Sequence, residues 1–211
     1  TPVLDGDRLY LQVLHTDGQH VIALDAATGR EIWKQRRPSD ARDECEHSYA
    51  SPVLYRDDRL ALLLTHGADY IVAHQLSDGA EVWRCGGLNP RGAYNNTLRF
   101  VASPLAVPGM VVVPSAKNGP VLALDPHSRG DITENAAAHR WVRARNTPDV
   151  PSPLVSDGLC YLCREDGTLL CLDAATGDEV YQKRGHSDRH RASPVLVDGK
   201  LLLTARDGTI T

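Results

Sequence analysis

No apolar run in this 211-residue chain approaches the roughly 18 residues that a membrane-spanning helix needs. Positive charge is not in excess either: 23 Lys and Arg stand against 27 Asp and Glu, for a formal net charge of −4. Phosphate backbones are held by clustered cations, so no nucleic-acid partner is expected. No signal peptide is recognisable, and the opening Thr1-Pro2 already falls inside a repeat. The five cysteines are odd in number and lack the spacing of a disulfide framework, so they point to no particular redox compartment. The rest of the composition, 42% hydrophobic and 24% charged, suits a globular chain with an ample core.

What the chain does have is repetition. The stretch Ala23-Leu24-Asp25-Ala26-Ala27-Thr28-Gly29-Arg30-Glu31-Ile32-Trp33 returns from Ala73 to Trp83, in broken form from Ala123, and from Cys171 to Tyr181. The starts at 23, 73, 123 and 171 define a nearly constant period, which marks an array. In each copy an apolar pair ends a buried strand, the Asp closes a turn on nearby amides, and the Gly supplies a positive φ. The aromatic that follows buries a broad face and offers a polar edge to a neighbour.

A second marker runs in phase with the first: Thr1-Pro2, Ser51-Pro52, Ser103-Pro104, Ser152-Pro153 and Ser193-Pro194. Proline cannot donate to a sheet ladder and belongs at the first residue of a strand. After a turn come Leu9–Val13, Leu60–Leu64, Met110–Val113, Leu159–Cys163 and Lys200–Thr204, expected as strands buried on both faces. One unit is therefore four strands in a meander, and the units fall at about 1–50, 51–102, 103–151, 152–192 and an incomplete 193–211. Four-stranded sheets at this spacing predict an all-β fold, a β-propeller of antiparallel blades, with about four and a half blades in a single segment, 1–211.

Ala-x-Asp-x-x-Thr-Gly-x-x-x-Trp, met in full by Ala23, Asp25, Thr28, Gly29 and Trp33, resembles the tryptophan-docking motif of the pyrroloquinoline-quinone (PQQ) repeat, the family of quinoprotein alcohol dehydrogenase-like propellers. The resemblance covers essentially the whole chain. It assigns structural repeat roles to Asp25, Thr28, Gly29 and Trp33, to Gly79 and Trp83, to Asp125 and Trp141, and to Asp173, Thr176, Gly177 and Tyr181. It also implies a ring usually of seven or eight blades, in which each aromatic packs on the adjacent blade. Gln75, Asp78, Cys171 and Tyr181 depart from the motif in ways that packing tolerates.

The connectors carry the candidates for function, because loops at one end of such an array hold most binding residues. Cys85 to Asn96 reads as an irregular loop with no phosphate cradle, and Tyr94, Asn95 and Asn96, with Arg99 beyond it, are the candidate binding residues. The third unit carries an insertion from His127 to Asn135 before a strand resumes near Trp141. Ser39 to His47 holds metal-type side chains, but in neither a zinc nor a calcium spacing, and is expected to be a solvated connector. His186 and His190 would chelate as an i, i+4 pair only on a helix, and they fall on a connector, so no metal site is predicted. If Asp166-Gly167 forms the hairpin turn, Cys163 faces Leu170 and Cys171 faces Leu162, which leaves the thiols as small buried groups.

Three functions are compatible with these residues. A non-catalytic scaffold or ligand-binding module, similar to the propeller lipoprotein of the outer-membrane assembly machinery, demands no special side chains. A PQQ-dependent dehydrogenase would need calcium, a catalytic Asp and often an adjacent Cys-Cys pair. The chain has no Cys-Cys, no assignable calcium set and no assignable catalytic residue, so no cofactor is predicted and PQQ with calcium is the alternative. A sensor propeller joined to another domain is the third. The resemblance implies protein partners and a periplasmic or cell-surface location in a bacterium. The open flanks of such an array lead one to expect further blades, from the rest of a parent chain or from a second copy.

Overall fold

The computed structural model describes residues 1–116 and 118–211, and its backbone is organised as successive antiparallel sheets. The first holds β1 (Val3–Asp5), β2 (Arg8–His15), β3 (Gly18–Asp25) and β4 (Glu31–Arg36). The second holds β5 (Val53–Arg56), β6 (Ala61–Gly67), β7 (Tyr70–Gln75) and β8 (Glu81–Cys85). The third is built from β9 (Leu105–Val107), β10 (Met110–Pro114) and β11 (Val121–Leu124) and, past the short β12 (Gly130–Asp131), β13 (His139–Arg143). The fourth holds β14 (Leu154–Ser156), β15 (Leu159–Cys163), β16 (Thr168–Asp173) and β17 (Glu179–Arg184), and a hairpin of β18 (Val195–Val197) and β19 (Lys200–Leu202) follows. Helical structure among the described residues is confined to 3-10 turns at Asp43–Glu46, Arg91–Ala93 and Ala136–Ala138. β5 lies against β9 and β9 against β14, so the Ser-Pro strands are innermost and the aromatic strands outermost, as in part of a β-propeller.

Serine, not only proline, has a role in the inner marker. Ser51 N–H donates to Ser103 Oγ at 2.9 Å, Ser103 N–H to Ser152 Oγ at 2.9 Å, and Ser152 N–H to Ser193 Oγ at 3.0 Å. A relay of side-chain acceptors thus satisfies, blade to blade, the amides just ahead of the inner strands, which have no sheet partner.

At the outer edge every blade repeats one irregularity. The register between the third and fourth strands shifts beside Ala23, Ala73, Ala123 and Cys171, which places these small residues opposite Trp33, Trp83, Trp141 and Tyr181. A bulge at that point re-aims the next side chain. Trp33 Nε1 accordingly donates to Leu76 O at 3.2 Å, Trp83 Nε1 to Pro126 O at 3.0 Å, and Trp141 Nε1 to Ala174 O at 2.9 Å, each time on the turn of the following blade. Tyr181 has no such partner blade beside it among the described residues and is 43% exposed, against 8%, 0% and 7% for the three tryptophans.

Burial follows the same logic. β6 and β10 are buried along almost their whole length, but β2 is only half-buried and β19 runs from exposed to half-buried, contrary to the expectation of strands dry on both faces in every unit. A sheet face is dry only where another blade covers it. The largest apolar cluster accordingly joins Leu62, Leu64 and Trp83 of the second sheet to Val111, Val113 and Leu124 of the third.

The cysteine register differs by one residue from the sequence expectation: Cys163 pairs with Leu169, and Cys171 with Tyr161. The reason is turn length. Arg164 N–H bonds Thr168 O at 2.8 Å, closing a three-residue loop that ends on Gly167 at φ +80°, in place of a two-residue turn. All five thiols are free and buried, and burial pushes those of Cys85 and Cys160 up to about 12 and that of Cys163 up to about 11.

The turn glycines give a controlled test of blade contact. Gly79 has φ +75°, and a Cβ there would sit 2.6 Å from the Trp33 ring; Gly29 has φ +72° with nothing within 4 Å. Gly79→Ala is expected to cost about 2–4 kcal/mol, the sum of left-handed strain and overpacking, and Gly29→Ala about 1 kcal/mol, the strain alone. Urea denaturation of the two variants measures the difference, which isolates the ring contact.

A loop-built cleft on the second blade

The β6–β7 hairpin turns through Ala68 and Asp69, both with positive φ (48° and 65°), the geometry of the tight turn that suits antiparallel strand twist. Such backbone is unfavourable for Ala and Asp, and the surroundings hold it in place. Asp69 is 4% exposed, and its carboxylate accepts from Tyr94 Oη at 2.5 Å and from Asn89 Nδ2 at 3.3 Å. Burial pushes the Asp69 carboxyl up, and the bonds from Tyr94 and Asn89 pull against it. The same burial, together with the bond to Asp69, raises Tyr94.

The rest of the long loop is folded onto this pair. Asn89 Oδ1 accepts from Asn95 N, its Nδ2 reaches Asn95 O at 3.2 Å, and Cys45 Sγ donates to the same carbonyl at 3.0 Å. Cys45 is fully buried, so the connector Ser39 to His47 is not simply solvated as its composition suggested: it drops one thiol under the loop of the next blade. That connector and that loop are far apart in sequence and adjacent only because both leave the same end of neighbouring blades.

The opposite wall comes from the third unit. Its insertion does not hang free. β12 pairs in parallel with the outer strand β8, Gly130 opposite Trp83 and Asp131 opposite Arg84, as a fifth strand on the second sheet. Ile132, fully buried, anchors it; Gly86 N–H donates to Thr133 Oγ1 at 2.8 Å, and Thr133 Oγ1 donates to Asp131 Oδ1 at 2.7 Å. Between the two walls lies a cleft of about 620 Å³, bounded by Asp69, Tyr70, Asn89 and Arg91 on one side and Asp131, Thr133 and Glu134 on the other. Tyr70 is held at its rim: Arg84 stacks 5.2 Å over its ring, and its Oη donates to Asp40 Oδ1 at 3.1 Å, with Arg91 ion-paired to the same Asp40 carboxylate. Arg84 is fixed in turn by two 2.6 Å bonds to Glu81.

Below the first-blade connector a charge is buried. Arg37 is wholly inaccessible; its guanidinium donates to Thr65 Oγ1 at 2.8 Å, Gly67 O at 3.0 Å and Tyr70 O at 2.7 Å. Burial, then the repulsion of Arg84, lowers it to about 9, so it remains charged at neutral pH. His74 Nδ1 faces Gly79 O at 3.1 Å, a pure acceptor, so Nδ1 carries the proton and Nε2 accepts from Thr65 Oγ1 at 3.0 Å. Burial and then the charge of Arg37 lower His74 to about 4, so the imidazole in the chain Arg37–Thr65–His74–Gly79 is neutral at neutral pH.

The four loop residues singled out from the sequence separate in space. Tyr94 and Asn95 belong to the network behind the cleft, where the Asn95 side chain closes its own turn on Thr97. Asn96 is exposed on the same loop. Arg99 lies elsewhere, ion-paired to Glu44 at 3.2 Å, with its guanidinium 5.9 Å from the Tyr49 ring. It borders a depression of about 400 Å³ together with Tyr49, Val101, Val150 and Arg191. Those last four each stand two residues before the serine of a Ser-Pro marker, so the depression is the mouth of the central axis. Position relative to that marker could have found them in the sequence.

No curated protein matches the chain. Among solved structures, BamB from Moraxella catarrhalis aligns over 100% of this chain and 61% of its own, with TM-score 0.69 and 17% identity. Quinohemoprotein alcohol dehydrogenase from Comamonas testosteroni aligns over 100% of this chain and 42% of its own, with TM-score 0.69 and 13% identity, and a computationally designed protein over 99% and 56%, with TM-score 0.64 and 14% identity. The chain spans about three fifths or less of the length of these structures, and identities this low carry the fold alone. The family profile described as outer membrane protein assembly factor BamB matches residues 1–183. With its four-stranded blades and outer aromatics bonded to the next turn, this chain belongs to that family of PQQ-repeat β-propeller proteins.

Proposed function

We propose that this chain is a non-catalytic binding module that holds a protein partner of the bacterial envelope, in the periplasm or at the cell surface. The observation that carries the reading is the cleft of the second blade: a preformed, polar, loop-built groove whose walls are fixed by paired side chains. The family description, an outer-membrane assembly factor, supports both the class of partner and the compartment.

The dehydrogenase alternative is disfavoured by the donors around the axis. A calcium-bound quinone needs several carboxylate and amide oxygens converging on the ion. Among the residues lining the axial mouth Asp149 alone is a carboxylate, and Arg99 and Arg191 are engaged by Glu44 and Glu165. The residues lining this mouth do not supply that set of oxygens.

A photocrosslinking amino acid placed at Glu134, on the cleft rim, is expected to trap one discrete envelope protein in the producing cell, and the same probe at exposed Ala27 on the first blade is not. Equal or absent trapping at Glu134 would refute the cleft as the site. Tight calcium-dependent binding of PQQ in a titration would overturn the non-catalytic reading itself.

A further inference from the structure

A second cluster lies away from the cleft, where the connector after the fourth blade meets the final hairpin. His186, Asp188 and Asp207 present one imidazole nitrogen and two carboxylate oxygens, all within 4.8 Å of one another. We propose that these three side chains form a site for a divalent transition cation, zinc above all, which pins the connector to the last hairpin. The mixed donor set suits such an ion: imidazole favours the later first-row metals, and carboxylates complete the charge.

The donors are held ready by the backbone around them. Asp207 divides its oxygens, with Oδ1 accepting from Thr209 N at 2.9 Å and Oδ2 facing His186 Nε2 at 2.7 Å. Asp188 is fixed likewise by Arg189 N at 2.6 Å to Oδ1. The connector is pressed onto the fourth-blade turn, since Gly185 N–H bonds Gly167 O at 3.0 Å and the His186 carbonyl occupies the space a Gly167 side chain would need. His190, fully buried, anchors the same segment: its N–H bonds Glu165 O at 2.9 Å, and its Nδ1 donates to Asp188 O at 2.8 Å. It thus fixes the backbone at Asp188 and is not the partner of His186 that an i, i+4 spacing would suggest.

To admit the ion the three donors, now within 4.8 Å of one another, have to settle at one common spacing. Two ligands about 2.0–2.1 Å from a tetrahedral zinc lie roughly 3.3 Å apart, so the 2.7 Å contact of His186 with Asp207 has to open by about 0.6 Å. Three protein donors would leave a fourth position to water.

The test is calorimetric titration of the 211-residue chain with zinc alone, beside calcium and magnesium. One zinc site per chain is expected, with the two hard cations at least tenfold weaker. His186→Ala, Asp188→Asn and Asp207→Asn are each expected to weaken zinc by at least about 10–100-fold, the loss seen when even an outer-shell partner is removed. His20→Ala, on the first blade, should leave it unchanged. A folding check by circular dichroism accompanies each variant, and Asp207→Asn keeps the acceptor for Thr209 so that its turn survives. Zinc binding that none of the three substitutions alters, or no binding at millimolar zinc, would overturn the proposal.

Discussion

Truncating Trp83 to Ala is expected to lower the free energy of unfolding by about 3–5 kcal/mol, and the same change at Tyr181 by about 1 kcal/mol or less. Both residues stand at the same place in the repeat, opposite a small residue beside the recurring bulge. Their surroundings separate them. Trp83 is fully buried between the second and third sheets, and its Nε1 satisfies Pro126 O; Tyr181 is 43% exposed on the outer strand of the fourth. Trp83→Phe keeps most of the apolar area and leaves that carbonyl without its donor, so an intermediate loss of about 1–3 kcal/mol is expected. Urea denaturation followed by tryptophan fluorescence and circular dichroism checks all three, and equal losses at Trp83 and Tyr181 would show that inter-blade contact is not what the aromatic supplies.

Stability is also expected to fall steeply as the pH drops below about 6.5. His66 and His74 are lowered to about 3 and about 4, first by burial and then by the charge of Arg37. A histidine whose folded value is depressed binds its proton in the unfolded chain first. Its contribution is therefore complete above 6.5 and is lost as pH falls toward the folded value, at roughly 1.4 kcal/mol per pH unit for each residue. The two sites act together, because a proton on either places a second buried charge near Arg37. His66 makes the sharper probe: neither ring nitrogen makes a well-formed hydrogen bond among the described residues, the backbone at Pro114 and Tyr70 only weakly opposing the shift, and its ring packs 4.9 Å from Phe100. His66→Leu is expected to flatten the dependence of the thermal midpoint on pH between 6.5 and 4.5 while leaving the neutral-pH value at least as high. An unchanged slope in that variant would refute the assignment.

Much of the fold was legible in the residues because the constraint is local and repeated. Each unit must bury two sheet faces, turn on an Asp or its substitute, and close on an aromatic, and these demands leave Leu-Asp, Thr-Gly and Trp at a fixed period. Even where Gln75 replaces the Asp, the backbone bond from Gly79 N to Gln75 O at 3.0 Å preserves the turn, which is why a degraded copy still reads as a copy.

The site was less legible, for a different reason. Nothing in Lys34-Gln35-Arg36-Arg37 says that Arg36 meets water while Arg37 is sealed beneath the next blade, and no pattern in Gly130-Asp131 announces a strand on a neighbour's sheet. Cys45 under Asn95, Asp207 against His186 and Tyr49 beside Arg191 are likewise meetings of segments remote in sequence. The sequence by itself determined the repeat, the strand order within a blade and the aromatic at its edge, since hydrophobic period and turn chemistry act over a few residues. Only the tertiary structure decided which connectors face one another, and with them the cleft, the axial mouth and the buried charge. Those depend on how successive blades are rotated about a common axis, a geometry to which every unit contributes and which no single stretch encodes.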